Sequence, residues 1–398
     1  MLPLRLCHIG RASPSKSVFM LQPFLTRRRL LAGAAGLPLL ATQQARPQPL
    51  KPAPALRGLS IVQIVDTSAT QQDVSRDFLI GSRAAWQDIN ARGGVRGRAV
   101  QHTVIEVDGS MPSLRAALET IKTQAQSVAL CGTAGDRTAT QVEQLLRQEQ
   151  IDIAHVAPWL HNTEVQGERT FSIFASRQEQ IVHALKSLSS NGVTELGAVY
   201  ATAQEDALYR ADVEKAAADL KLKLIRYALK DSLRQTGMSL NADTPAILLF
   251  LGGTPELAQF TQSLEKQPRQ RYVIALADVN LQTMAQLGAA RNTPVIATQV
   301  VPMVNAGLPV VRAYRETLAR LFDEAPTALS LAGFIAARYT QEVLQAIETM
   351  PTRQNVLQAF QRRVPLDLGG FRISFNGLRR GSPYVTQSML SPDGRIVG

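Results

Sequence analysis

The sequence predicts an α/β protein built as two doubly wound lobes. Two observations carry this: short apolar, β-branched runs alternate with longer segments of helical period from Leu59 onward, and the alternation passes through two successive series. Length agrees, because 398 residues exceed what a single hydrophobic core usually organises. With 45% hydrophobic and 19% charged residues the chain can fill two cores and has the balance of a globular protein. No segment offers 18 uninterrupted apolar residues for crossing a membrane.

The first series opens with the apolar run 59–65 as a strand, and the segment 78–91 behind it has the period of a helix. Strand 100–107, helix 112–126, strand 127–131, helix 138–148 and strand 151–156 follow in the same rhythm. The second series runs through helix 179–190, strand 195–200, helix 208–220, strands 223–228 and 246–251, helix 255–266, and strands 272–275 and 295–301. Long helical periods then cover 310–323 and 329–350, a shorter one covers 353–361, and strands at 370–375 and 384–390 close the chain. Asn376-Gly377, just past the first of these two strands, is a turn signal.

The net charge of +11 invites a nucleic-acid partner, but nine Lys and Arg residues and no acidic one precede Gly58, which leaves +2 for the remainder. Thr26-Arg27-Arg28-Arg29-Leu30-Leu31, then an Ala/Gly/Leu stretch to Leu40, then a polar, Pro-containing stretch, give the charged, apolar, polar order of an export signal. The paired arginines resemble a twin-arginine signal, so residues 1–45 are expected to be removed and 46–56 to be a linker. Met20 stands close before the arginines as a possible start, and Ala41 and Ala45 are the candidate cleavage positions. No Cys follows the apolar stretch to carry a lipid, so a soluble, exported protein is expected. Of the two cysteines, Cys7 lies in the leader and Cys131 in an apolar run, where it reads as a small buried hydrophobe.

Motifs of catalysis are missing. The chain has no G-x-S-x-G elbow, P-loop, H-E-x-x-H, paired C-x-x-C or G-x-G-x-x-G after the first strand, so no enzyme activity and no cofactor is expected. His155 and His161 are the nearest of the five histidines to a ligand spacing, yet they straddle a strand end, and no metal is expected there.

Residues 88–98, DINARGGVRGR, resemble the signature that follows the first helix in type I periplasmic binding proteins of the leucine/isoleucine/valine-binding family. Its local physics is clear: Gly93 and Gly94 end a helix in conformations a side chain resists, and Gly97 lets the chain turn into the next strand. Asp108 and the ending GGFRISFNGLRRGSPYVTQ (369–387) resemble the family in register. The resemblance implies two Rossmann-like lobes joined by a three-crossing hinge, with lobe 1 at 57–177 plus 304–368 and lobe 2 at 178–303 plus 369–398. It also implies a periplasmic monomer that closes on a small-molecule ligand and delivers it to an ABC transporter permease in the inner membrane, with no nucleic-acid partner. The same fold serves as the sensing module of receptors; the lack of nucleophile, metal and cofactor motifs sets aside an enzyme on this scaffold.

The resemblance places the ligand turns of lobe 1 at Gly132–Thr138 and Ala157–Asn162. Thr133 and Thr138 would offer hydroxyls. Asp136 stands where relatives often have Ser and either faces the ligand or caps the helix that follows. Trp159 and His161 replace small and hydroxylic residues; Trp159 either walls the cleft or packs beneath it. On lobe 2, Gln204 lies in the segment ATAQED, Thr254 stands where an aromatic is frequent, and Asp278 corresponds to the residue that takes a ligand ammonium. An α-amino-acid pocket is thus not preserved as such, and an amino-acid-like, aromatic or amide ligand is expected.

Overall fold

The computed structural model describes residues 58–159, 167–264, 267, 269–288, 293–375 and 384–398, with the backbone alone at Asp136. The leader, the linker, His161 and the Asn376-Gly377 turn lie outside these residues.

The first lobe begins with β1 (Leu59–Asp66), α1 (Gln72–Ala91), β2 (Val100–Val107), α2 (Met111–Thr123), β3 (Ser127–Cys131), α3 (Asp136–Gln148), β4 (Ala154–Val156) and β5 (Thr170–Phe171). Its five strands form one parallel sheet in the order β2-β1-β3-β4-β5. Along β1, Leu59 and Ile61 enter the layer beneath α1, while Val62 and Ile64 enter the opposite layer with Leu114, Leu118 and Leu145 of α2 and α3. A strand covered on both faces by helices is buried throughout, and all eight residues of β1 are buried, with the polar Ser60, Gln63 and Asp66 each hydrogen-bonded.

The second lobe comprises α4 (Arg177–Ser190), β6 (Glu195–Tyr200), α5 (Ala203–Asp219), β7 (Lys223–Tyr227), α6 (Leu233–Met238), β8 (Ile247–Leu251), α7 (Thr254–Leu264), β9 (Tyr272–Ala275), α8 (Leu281–Gln286) and β10 (Val295–Gln299). The chain then returns to lobe 1 for α9 (Pro309–Leu321), α10 (Ala328–Gln345), α11 (Arg353–Gln361) and the hairpin of β11 (Leu366–Asp367) and β12 (Arg372–Ile373). It finishes in lobe 2 with β13 (Thr386–Leu390) and β14 (Ile396–Val397), antiparallel additions to a seven-stranded sheet ordered β14-β13-β10-β9-β8-β6-β7. The same double winding recurs, because Leu248 and Phe250 of β8 face one layer and Leu249 and Leu251 the other. Three crossings join the lobes, between β5 and α4, between β10 and α9, and between β12 and β13. Phe371 and Ile373 belong to the lobe 1 core, so the third crossing comes after Ile373, later than the boundary at 369 expected from sequence.

The signature loop after α1 behaves as its glycines require. Gly93 and Gly94 have φ of 100° and 71°, and a Cβ on Gly94 would sit 1.9 Å from the Arg98 carbonyl oxygen. Lobe 1 is organised around a close crossing of α1 and α10: a Cβ at Gly81 would lie 1.6 Å from the Ser330 oxygen, and one at Gly333 would lie 1.9 Å from the Phe78 oxygen. Cys131 is buried beside this crossing, its sulfur 3.1 Å from the Thr340 hydroxyl, and burial pushes the thiol up to about 12. α1 starts six residues before the expected position, since its first turn is polar and lacks the apolar period that betrays the rest. The elements missed from sequence, α6, α8, β5, β11 and β14, have at most six residues each, too few to show a period.

Candidate functional site

Helices α1 and α8, each of which follows the carboxyl end of a parallel strand, meet between the lobes where Asn280 Nδ2 lies 2.9 Å from Asp77 Oδ2, and open α/β sheets bind ligands at such strand ends. On lobe 1 the turn after β1 is held by Asp66, which is 2% exposed, accepts from the Ser68 N–H at 2.8 Å and accepts the Thr138 hydroxyl. After β3, Gly132 (φ 70°) lies against Phe78, where a Cβ would come within 2.7 Å of the ring, and its carbonyl accepts from Gln63 Nε2 at 2.8 Å. The Thr133 hydroxyl meets His155 Nε2 at 3.1 Å in the interior. Burial holds His155 neutral, its pKa lowered to about 3.

The turn after β4 begins at Ala157, a non-glycine residue in the left-handed region at φ 47°. This twist carries Pro158 and Trp159 over the sheet. The Trp159 N–H donates to the Thr133 carbonyl at 2.8 Å, and the indole ring packs with its centroid 6.0 Å from Phe78 and 5.2 Å from Phe174. At 2% exposure the ring is part of the lobe 1 core.

On lobe 2, Thr202 caps α5 by accepting from the Glu205 N–H. Arg177, at the start of α4, places Nη2 2.7 Å from Asp278 Oδ2 and its guanidinium carbon 4.0 Å above the Tyr209 ring. The Thr254 hydroxyl accepts from the Asn280 N–H at 3.0 Å and lies near Asp73 of lobe 1. Asn280 Nδ2 donates to Asp77 Oδ2 at 2.9 Å. Burial raises the carboxyl pKa of Asp73, Asp77 and Glu256, and at Glu256 the neighbouring Glu205, Asp73 and Asp278 add to the effect. Asp73 Oδ2, Glu256 Oε2 and Asp278 Oδ1 are buried with no hydrogen-bond partner among the described residues. This rim of the cleft is therefore rich in acceptors awaiting donors.

The residues expected from sequence separate into groups. Thr254 and Asp278 come together on the acidic rim. Thr133 and Thr138 are fully buried with their hydroxyls engaged by His155 and Asp66. Gln204 lies exposed on α5. The N-cap alternative for Asp136 is corrected: Gly135, at φ 100°, occupies the cap position and Asp136 is the first helical residue. Sequence reasoning missed Asp73, Asp77, Glu256, Arg177 and Asn280. Asp73 and Asp77 had a usable signal, since acidic residues four apart in the segment after the first strand share one helix face beside its carboxyl end.

A family model described as periplasmic binding protein matches residues 59–384. The chain belongs to the periplasmic binding protein family. No curated protein sequence matches it. Among solved structures, this periplasmic binding protein is similar to an extracellular ligand-binding receptor from Verminephrobacter eiseniae, with 18% identity, a TM-score of 0.76, and 86% of this chain and 100% of that one covered. It is also similar to a substrate-binding periplasmic protein from Ralstonia solanacearum, at 19% identity and TM-score 0.74 over 85% and 99% of the two chains. The leucine-binding protein LivK from Thermotoga maritima aligns at 13% identity and TM-score 0.71 over 85% and 97%. These likenesses establish the two-lobed type I fold. Among the described residues of this periplasmic binding protein, no helix is long and apolar enough to cross a membrane and no three His, Cys, Asp or Glu side chains are grouped to hold a metal.

Proposed function

We propose that this protein is the solute-binding component of an ABC transporter, exported by its twin-arginine leader, which takes a small organic ligand between its lobes and delivers it to a membrane permease. The observation that carries the reading is two doubly wound sheets joined by three crossings in a chain of this family, with segments that follow strand carboxyl ends of the two lobes meeting at Asp77 and Asn280. Binding then needs no covalent chemistry: closure removes the ligand from water, and the two rims supply the contacts.

The ligand we propose is amino-acid-like, aromatic or amide-bearing. Support comes from the three buried, unbonded carboxylate oxygens on the rim, which match a ligand carrying N–H donors. Similar structures are described with isoleucine and with Leu, and another is described as a fatty acid transporter protein. A carboxylate tail suits this acidic rim poorly. Thr254 and Asp278, joined by Asp73 and Glu256, are the contacts we assign on this side; Thr133, Asp136, Thr138 and Trp159 belong to the turns of lobe 1, Gln204 is exposed on lobe 2, and His161, also assigned to the site from sequence, lies outside the described residues.

A thermal-shift screen of the protein against amino acids, aromatic acids, amides and short peptides tests the reading, because a ligand that binds only the folded state raises the midpoint. Donor-rich ligands should stabilise the protein, by about 2.7 kcal/mol at a hundredfold excess over Kd. Stabilisation by none of the four classes would overturn it.

A further inference from the structure

Lobe 2 sets a cation of its own against the acidic rim. Arg177 is the first residue of α4, directly after Ser176, whose hydroxyl caps the helix by accepting from the Glu179 N–H at 3.2 Å. A guanidinium at this position meets the positive end of the helix dipole, so local sequence gives its charge no support. Support comes from two distant contacts: Asp278 Oδ2 at 2.7 Å, and the Tyr209 ring, whose centroid is 4.0 Å from the guanidinium carbon. Gln180, on the same turn of α4, fixes the register, because its Oε1 accepts from the Ala277 N–H at 2.9 Å and from the Thr298 hydroxyl at 2.8 Å. The side chains of Arg177 and Asp278 are only 7% and 17% exposed, so removing either partner strands a sheltered charge. The pair borders the space between the lobes. Asp278 follows the carboxyl end of β9, stands two residues before the Asn280 that reaches Asp77 of lobe 1, and acts by its charge on Asp73 and Glu256.

A carboxylate beside an aromatic face makes a subsite for a cation. Here the chain fills that subsite itself. We propose that Arg177 is a specificity-determining residue: it occupies the cation subsite of Asp278 and Tyr209, so the ligand meets this wall with an uncharged N–H donor, a carboxamide rather than an ammonium. The inference rests on the reading of the space between the lobes as the ligand site. Asp278 Oδ1, buried and without a hydrogen-bond partner among the described residues, is left to accept from such a group while the carboxylate charge is already balanced. A ligand ammonium at the same place would set a second cation against the guanidinium, and like charges in a sheltered site repel.

Thermal-shift titration of the full chain with matched neutral and cationic probes tests this: benzamide against benzylamine, and isovaleramide against isoamylamine. Neither amine should stabilise the wild-type protein. Arg177→Met keeps an apolar stem beside Tyr209 and removes the charge, so the variant should bind both amines with an affinity at least about tenfold above that of wild type. Adding Asp278→Asn to Arg177→Met should abolish the gain, which ties it to this carboxylate. Arg177→Gln, whose amide can still donate to Asp278, should gain the amines in the same way and serves if Arg177→Met fails to fold. Stabilisation of the wild-type protein by the amines, no gain in a folded Arg177 variant, or a gain that survives Asp278→Asn would each overturn the proposal. The ligand screen fails separately. If the variants gain amine binding while the wild-type protein responds to none of the screened classes, the role of Arg177 stands and the transport reading falls; a wild-type protein that binds a screened ligand, with variants that gain nothing, gives the reverse.

Discussion

Replacing Trp159 by alanine separates a packing role from a ligand-contacting one. The indole exposes 2% of its surface and lies among Phe78, Phe174 and the turn after β3. Truncation to a methyl removes on the order of 150 Å² of buried apolar surface, which at about 25 cal/mol/Å² amounts to roughly 4 kcal/mol. The ring contacts add about 0.5–1.5 kcal/mol, and the cavity left behind collapses only in part because Phe78 is fixed from the other side by the α1–α10 crossing. Trp159→Ala should therefore cost about 4–5 kcal/mol in urea denaturation of the ligand-free protein. The chain has only one other tryptophan, Trp86, so the loss of Trp159 fluorescence also identifies which probe follows unfolding of lobe 1. If the variant stays within about 1 kcal/mol of wild type and instead loses stabilisation by every ligand that acts on the parent, the packing argument is wrong and the ring walls the cleft.

Three further outcomes are expected. Gly333→Ala places a methyl 1.9 Å from a backbone oxygen of α1, and the helices must separate, so its urea midpoint should fall by the equivalent of at least about 2 kcal/mol; an unchanged midpoint would mean the helices are not in close contact. His155 has its pKa depressed to about 3 in the folded state, so the unfolded chain takes up a proton below about pH 6.5 that the fold refuses. Its contribution is full above that pH and falls by about 2.5 kcal/mol between pH 7 and 4.5; His155→Gln should flatten this part of the stability profile, and an identical profile would show that the ring is solvated. Changing Arg27 and Arg28 together to lysine should trap precursor in the cytoplasm, as seen by fractionation, whereas normal export would refute the twin-arginine reading.

Much of the fold was legible in the chain because its central strands, such as β1, β3 and β8, are buried on both faces. Apolar runs such as 59–65 and 247–251 have no competing explanation, and their alternation with helical periods leaves little besides a doubly wound sheet. The signature glycines were legible for a similar reason: Gly94 sits where any side chain would strike the Arg98 carbonyl, so local sterics alone fix the residue. The site was less legible. The chain carries Thr133, Thr138 and Trp159 at turn positions, but which way a side chain points depends on what lies behind it, and here His155, Asp66 and Phe174 draw all three inward. The acidic rim depends on residues brought together from α1, α4, α7 and the segment before α8, far apart in the sequence between Asp73 and Asn280. Periodicity and turn chemistry act over a few residues, so the sequence by itself determined the elements, their order and their helix-ending turns. Only the tertiary structure decided which hydroxyls are spent in the interior, which carboxylates share one buried rim, and that Asn280 reaches Asp77 across the cleft, because those outcomes follow from desolvation and contact between segments that no local pattern connects.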